Sequence, residues 1–399
     1  METVYVIDAL RTAIGRYGGA LSTIRPDDLL ANVIEALIKR NGKIDVADIE
    51  DVIAGDANQA GEDNRNVARM AAMLAGLPVS VPGNTVNRLC ASGMQAIMDA
   101  SRAIMCGDGN IFLAGGVESM TRAPFVMNKS DAAYSRRTEI YDTTIGWRFP
   151  NKKLTDKYYP YSMGETAENV AKQWKISRNA QDEFALQSQL KYFAALAAGK
   201  WKDEIVPVEI TPNKTDQILF DKDEHPRNTT LDKLSQLRPA FIKDGTVTAG
   251  NSSQTSDGAA ASVVMSADKA RQLGIKPLAR FVAFATAGYK PEEMGLGPVY
   301  AIPKVLKMTG LSLDQIDLIE LNEAFAAQAL SVIKEAGLDI KKINPNGGAV
   351  ALGHPLGCTG AKLTATIIRE LKRKNGKYGI VTMCIGGGMG AAGIIENLN

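Results

Sequence analysis

The chain has 399 residues, 45% of them hydrophobic and 23% charged, proportions that exclude a disordered, collagen-like or extended coiled-coil protein. That length exceeds one ordinary core and predicts two or three packed units. Lys plus Arg number 46 against 44 Asp plus Glu, so the net charge of +2 calls for neither nucleic acid nor an anionic membrane as partner.

The chain opens Met1-Glu2-Thr3 and runs directly into Val4-Tyr5-Val6-Ile7, without a basic, apolar leader, and carries no stretch of about 18 apolar residues. The expected location is the cytoplasm. Cys90, Cys106, Cys358 and Cys384 are too few and too scattered for a disulfide framework or a zinc site, so reduced thiols and no metal are expected.

Apolar runs rich in Val and Ile predict buried strands at Val4–Leu10, Ile49–Ala54, Ile111–Ala114, Ala279–Ala287, Ile316–Leu321 and Tyr378–Met383. Helical spacing falls between them: Leu29, Val33 and Leu37 in a helix from about Asp27 to Lys39, and Met94, Ile97, Met98, Ser101 and Met105 on one face after Cys90. The alternation implies an α/β architecture. Residues 4 to about 117 and 279 to 397 repeat one order of elements, which predicts two sister domains. The expected division is 1–120 plus 246–273, an inserted segment 121–245, and 274–399. All three tryptophans lie in the insertion, which is expected to form a cap. Within it Ser177 is placed to cap a helix with an apolar stripe of Phe184, Leu186, Leu190, Phe193 and Ala197, closed by Gly199.

Five positions carry possible chemistry. Cys90 stands where a helix begins, so aligned backbone amides could lower its pKa and make it a nucleophile; the plain alternative is a small buried hydrophobe. His225, in Asp223-Glu224-His225-Pro226-Arg227, reads as a solvated histidine. Asn322 follows a strand and precedes a helix expected over Ala324 to about Ala336, either as its N-cap or as a ligand-binding amide at a strand's carboxyl end. His354 lies between glycines before Pro355, as a base or as a turn histidine. Cys384 ends a strand before Ile385-Gly386-Gly387-Gly388-Met389-Gly390, whose glycines make either a tight hairpin or a cradle of free N–H groups.

Taken together, Asn87-Arg88-Leu89-Cys90-Ala91-Ser92-Gly93, Gly115-Gly116-Val117-Glu118-Ser119-Met120, Asn322-Glu323-Ala324-Phe325, Gly347-Gly348-Ala349 through Gly353-His354-Pro355-Leu356-Gly357, and Cys384-Ile385-Gly386 resemble the signature segments of the thiolases, in order and across practically the whole chain. The resemblance implies a thiolase fold: two duplicated βαβαβαββ domains in five layers, α-β-α-β-α, with an inserted loop domain over the active site. It further implies that Cys90 accepts the acyl group, His354 activates it, and Cys384 exchanges a proton with the α-carbon of acetyl-CoA. Asn322, through a water, and His354 would hold the enolate oxygen, while backbone N–H groups of Cys90 and Gly386 form a second oxyanion hole. Coenzyme A is then a substrate, no cofactor is required, and a homodimer or dimer of dimers is expected.

Ser253 matches the family serine near the pantetheine arm and Met163 a pocket methionine, each with the alternative of a turn hydroxyl or a packed side chain. Arg227 and Lys222 are candidates for the nucleotide phosphates, and Phe325 and Met294 for the walls of the acyl pocket. Short-chain acetoacetyl-CoA members commonly carry His before the pocket methionine; Ser162 stands here. Asp142 to Phe149 and Asn344 to Gly348 look like 3-oxoadipyl-CoA thiolases, whereas Met294 to Pro303 and Gly357 to Gly360 look like fatty-acid 3-ketoacyl-CoA thiolases. The expectation is degradative thiolysis of a 3-ketoacyl-CoA, with Arg148 meeting the distal carboxylate of a dicarboxylate chain. The alternatives are an acetoacetyl-CoA thiolase in the condensing direction, a non-catalytic carrier of lipid or acyl-CoA, and a decarboxylating ketosynthase, which would need a second histidine where Cys384 stands. Cys106 and Cys358 read as structural.

Overall fold

The computed structural model describes residues 2–211 and 216–399. Nine strands carry the architecture: β1 (Val4–Thr12), β2 (Asp51–Gly55), β3 (Gly83–Val86), β4 (Ile111–Ser119), β5 (Ser256–Ser266), β6 (Ala279–Gly288), β7 (Leu318–Leu321), β8 (Tyr378–Ile385) and β9 (Met389–Asn397). Their order is β7-β8-β9-β6-β1-β5-β4-β2-β3. The principal helices are α1 (Pro26–Arg40), α2 (Val67–Leu74), α3 (Ser92–Cys106), α4 (Met163–Gln173), α5 (Arg178–Ala197), α6 (Gly297–Thr309), α7 (Ala326–Glu335) and α8 (Leu356–Lys374).

The repeat seen in the sequence is repeated in the pairing. β1 runs antiparallel to β5, β5 antiparallel to β4, and β4 parallel to β2. In the second half β6 runs antiparallel to β9, β9 antiparallel to β8, and β8 parallel to β7. Even the irregularities match. The β1/β5 register slips between Val6 and Asp8, and the β6/β9 register slips between Phe281 and Ala283, at the same position of each strand. The halves meet edge to edge through Tyr5–Arg280 and Val6–Ala279, so two sheets join into one hydrogen-bonded path.

Burial on both faces explains why these strands read as unbroken apolar runs. α1 and α2 cover the outer face of the first half through Leu29, Leu37, Val52 and Val263. α6 and α7 do the same for the second half through Ala301, Val305, Ile319 and Ile394. α3 and α8 lie between the sheets among Met94, Ile97, Phe112, Leu363, Ile367 and Val381, which completes five layers. Their first turns touch backbone to backbone: a Cβ added to Gly93 would stand 2.6 Å from the Gly357 carbonyl oxygen.

Residues 121–245 contribute α4, α5, a hairpin of Phe125–Met127 with Ile140–Asp142, and a pair of Val208–Ile210 with Ile218–Phe220. Ile205–Val206 also joins β1 in parallel. Ser177 caps α5 as expected, its hydroxyl accepting from the Ala180 N–H. The apolar stripe faces inward only in part: Phe184, Leu186 and Phe193 are half-buried against the core, while Leu190 and Ala197 are exposed. Gln181, Asp182, Ala185, Ser188, Gln189 and Tyr192 are buried, whereas Leu190 is 51% exposed. The reason is what α5 covers: Ser188 donates to Glu323 at 2.7 Å, Gln189 donates to the Val350 carbonyl at 3.3 Å, and Asp182 accepts from Asn251 at 2.9 Å. A polar loop selects a polar helix face.

Candidate active site

Between β3 and α3 the chain makes one tight turn, Leu89–Ala91, with Cys90 at its centre. Leu89 is forced to φ +48°, a left-handed conformation that a branched side chain adopts only under constraint. The constraint is visible. Asn87 accepts from the Leu89 N–H at 2.8 Å, and the Ser92 hydroxyl donates to the Leu89 carbonyl at 2.7 Å while accepting from the Arg88 N–H at 2.8 Å. The turn packs against both α8 and β8, the elements that carry the other candidate groups.

Cys90 is 9% exposed, with the Gly386 N–H hydrogen-bonded to its sulfur. A place at a helix N-terminus could by itself lower the pKa of Cys90. Burial outweighs the helix end and the Gly386 hydrogen bond and pushes the thiol up to about 11. Cys90 therefore holds its proton, and acting as a nucleophile would require a base.

His354 fits that role by its tautomer. Thr359 Oγ1 donates to the Pro355 carbonyl at 2.8 Å, so at 2.6 Å from the imidazole Nδ1 it can only accept. Nδ1 thus carries the proton and Nε2 keeps its lone pair. Nε2 is buried and has no partner among the described residues. Burial, with the nearby Lys362 charge, lowers the imidazole pKa to about 3 and keeps the ring neutral.

Cys384 is fully buried at the end of β8, before the hairpin that joins it to β9. Burial raises its pKa, and a charge on Cys90 raises it further, so the two sulfurs lie near each other. Phe325, Met294, Ala324 and the edge of Met163 form the apolar cluster around it. Asn322 is not a helix cap. α7 starts at Ala326 with Phe325 as its N-cap, and neither amide atom of the buried Asn322 side chain has a partner among the described residues. Ser162, by contrast, is fully explained as a cap: it forms a reciprocal capping box with Glu165 at the start of α4.

A cavity of about 320 Å³ opens beside Cys90, lined by Leu89, Gly386 and Met163 together with Trp147, Arg148 and Asn58. Arg148 Nη1 donates to Asn58 Oδ1 at 3.1 Å, and the Asn58 amide is oriented by Thr143 Oγ1 at 2.9 Å. Glu118, beneath them, accepts from the N–H groups of Ala57 (3.0 Å), Asn58 (3.1 Å) and Gly357 (2.7 Å). It therefore ties the cavity floor to the first turn of α8. Burial pushes its carboxyl up to about 7.

Ser253, Arg227 and Lys222 do not line this cavity. Ser253 is half-buried with its N–H on the Ala324 carbonyl at 2.9 Å, Arg227 donates to the Ala249 carbonyl at 3.0 Å, and Lys222 is exposed. Cys358 lies in the core and Cys106 is exposed at the end of α3. His225 is not solvated. It is half-buried with its ring hydrogen-bonded to Ser256 at 2.9 Å. Asn58, Thr359 and Ser256 escaped the sequence reading because each acts through a partner in a different element.

Family models for the thiolase N-terminal and C-terminal domains match residues 4–268 and 275–397. The chain belongs to the thiolase family. It is 54% identical, over 100% of both chains, to the 3-oxoadipyl-CoA/3-oxo-5,6-dehydrosuberyl-CoA thiolase of Escherichia coli. It is 49% identical to the 3-ketoacyl-CoA thiolase of Bacillus subtilis, over 99% of this chain and 100% of that one. Human mitochondrial 3-ketoacyl-CoA thiolase in complex with CoA superimposes with a TM-score of 0.91 at 41% identity, covering 99% of this chain and 98% of that one. The thiolase fold and an acyltransferase activity follow.

Proposed function

We propose that this thiolase works in the degradative direction on a 3-ketoacyl-CoA whose acyl chain ends in a carboxylate, 3-oxoadipyl-CoA being the member that fits. The carrying observation is Arg148: it lines the cavity that holds Cys90, and its bonded partner there is the neutral Asn58 amide, which leaves guanidinium donors for a carboxylate. The name of the Escherichia coli relative supports the same chain.

In the first half-reaction His354 Nε2 takes the Cys90 proton as the sulfur attacks the C3 carbonyl. The C2–C3 bond breaks and its electron pair moves to C2, giving the acetyl-CoA enolate. Asn322, through a water, and the protonated His354 hold the enolate oxygen, and Cys384 supplies the proton to C2. In the second half-reaction the Cys384 thiolate takes the proton of incoming coenzyme A. The new thiolate attacks the acyl group on Cys90, whose oxyanion faces the N–H groups of Cys90 and Gly386, and the His354 proton returns to the departing sulfur. The unpartnered Nε2 of His354 and amide of Asn322 support an enzyme over a carrier, since buried polar atoms without partners are costly unless chemistry uses them.

In this reading coenzyme A is a substrate, and no metal or nicotinamide takes part. Residues 121–245 cover the coenzyme A site between the units 1–120 plus 246–273 and 274–399. Ser253 meets the pantetheine arm, Arg227 and Lys222 meet the phosphates, and the enzyme is a cytoplasmic homodimer or dimer of dimers. The test is steady-state thiolysis of 3-oxoadipyl-CoA, uncharged 3-oxohexanoyl-CoA and acetoacetyl-CoA. The reading expects the highest kcat/KM for the carboxylate; equal or better use of the uncharged chain overturns it.

A further inference from the structure

We propose that His225 is a positioning residue for His354, acting through the hydroxyl of Ser256. The inference rests on the reading of His354 as the base for Cys90.

Ser256 Oγ is fully buried and has three neighbours: the Gln254 carbonyl at 2.6 Å, the His354 N–H at 3.0 Å and His225 Nε2 at 2.9 Å. The neutral His225 ring gives its one N–H, on Nδ1, to the Gly15 carbonyl, so Nε2 accepts from the Ser256 hydroxyl, and the same Ser256 oxygen accepts from the His354 N–H. The position of the hydroxyl is set from three directions. Gly353, the residue before His354, sits at φ +87°, and a Cβ there would collide with the Ser256 hydroxyl and the His225 ring. The ring is therefore packed directly against the backbone that leads into the catalytic histidine. On the other side, Lys362 Nζ donates to the Gly353 carbonyl at 2.9 Å.

The peptide joining Gly353 to His354 is thus held at its oxygen by Lys362 and at its nitrogen by Ser256 at 3.0 Å and the Gln254 carbonyl at 3.2 Å, while Thr359 holds the ring itself. His225 stands on a firm base. Glu224 N–H bonds the Ile14 carbonyl at 2.9 Å, and Asp223 accepts from Arg11 at 2.7 Å and from the Ile14 N–H at 2.8 Å. Removing the imidazole takes away the acceptor of the Ser256 proton and opens space beside Gly353, so the hydroxyl can turn and the 353–354 peptide can tilt and carry Nε2 away from the sulfur.

The experiment compares His225→Ala, His225→Gln and Ser256→Ala in the full enzyme, reading kcat, KM for coenzyme A, the rate of Cys90 alkylation by iodoacetamide, and Tm. A glutamine Oε1 can accept from the serine as the imidazole does. The expected result is a kcat about ten- to hundredfold lower in His225→Ala at unchanged KM for coenzyme A, because small displacements of a catalytic group cost rate rather than binding. His225→Gln recovers most of that loss, and Ser256→Ala, which deletes one atom and carries the test if His225→Ala fails to fold, reproduces it. Wild-type kcat in Ser256→Ala or His225→Ala, or a His225→Gln as slow as His225→Ala at equal Tm, overturns the proposal. His354→Ala is the separating control: if it keeps wild-type thiolysis, the role of His354 as base fails instead.

Discussion

The Nδ1 atom of His354 stands 2.6 Å from the Thr359 hydroxyl, and that hydroxyl donates to the Pro355 carbonyl at 2.8 Å. This pair of bonds decides which imidazole nitrogen is basic. Thr359→Val keeps the shape and removes the acceptor, so the tautomer with a free Nε2 loses its advantage. The expected kcat is about 10- to 100-fold below wild type, a part of what a general base contributes. Thr359→Ser is expected to stay near wild type, and steady-state kinetics on both variants decides it.

Asn322 carries two unpartnered polar atoms in a buried site, a cost to stability that only a substrate or water removes. Asn322→Leu, similar in volume, is expected to raise Tm in the absence of substrate and to lower kcat on the order of 10²-fold, the scale of one lost oxyanion donor. A lower Tm with unchanged kcat contradicts this.

Burial holds the Cys90 thiol up near about 11 and the His354 imidazole down near about 3, so the free enzyme holds a neutral thiol and neutral imidazole rather than an ion pair. The thiolate fraction therefore grows as pH rises toward the raised pKa. Alkylation of Cys90 by iodoacetamide is expected to climb about tenfold per pH unit from about pH 7 to about pH 10. A plateau at neutral pH would mean a preformed thiolate–imidazolium pair.

Arg148→Ala tests the carboxylate contact. The ratio of kcat/KM for 3-oxoadipyl-CoA to that for acetoacetyl-CoA is expected to fall about 10- to 100-fold, the value of a charge-assisted hydrogen bond. An unchanged ratio removes Arg148 from substrate recognition.

Much of this architecture is legible in the sequence because doubly buried strands leave continuous apolar runs, and because the duplication repeats them. β3 is the short strand that the repeated order of elements calls for before the Cys90 helix, yet Gly83-Asn84-Thr85-Val86 leaves no apolar run, because it is partly polar and is held by its pairing with β2. The family segments contain Cys90, Asn322, His354 and Cys384, yet not their states. A helix-end cysteine looks acidic locally, and the burial that reverses this comes from the whole fold. His225 sits in a polar pentapeptide, and what makes it structural lies 31 residues away at Ser256. Arg148 and Asn58 are 90 residues apart, and α5 hides a polar face because of the loop it covers. Residues whose meaning depends on a distant partner are silent until the chain is folded.

The central claim is that the acyl chain rests on the sulfur of Cys90 between half-reactions. Enzyme mixed with 3-oxoadipyl-CoA without free coenzyme A, quenched in acid and digested, reads this directly by mass spectrometry. The account predicts a succinyl thioester on the peptide carrying Cys90, with one acetyl-CoA released per active site. Acetyl-CoA released while that peptide stays unmodified, or an adduct confined to Cys384, would contradict it.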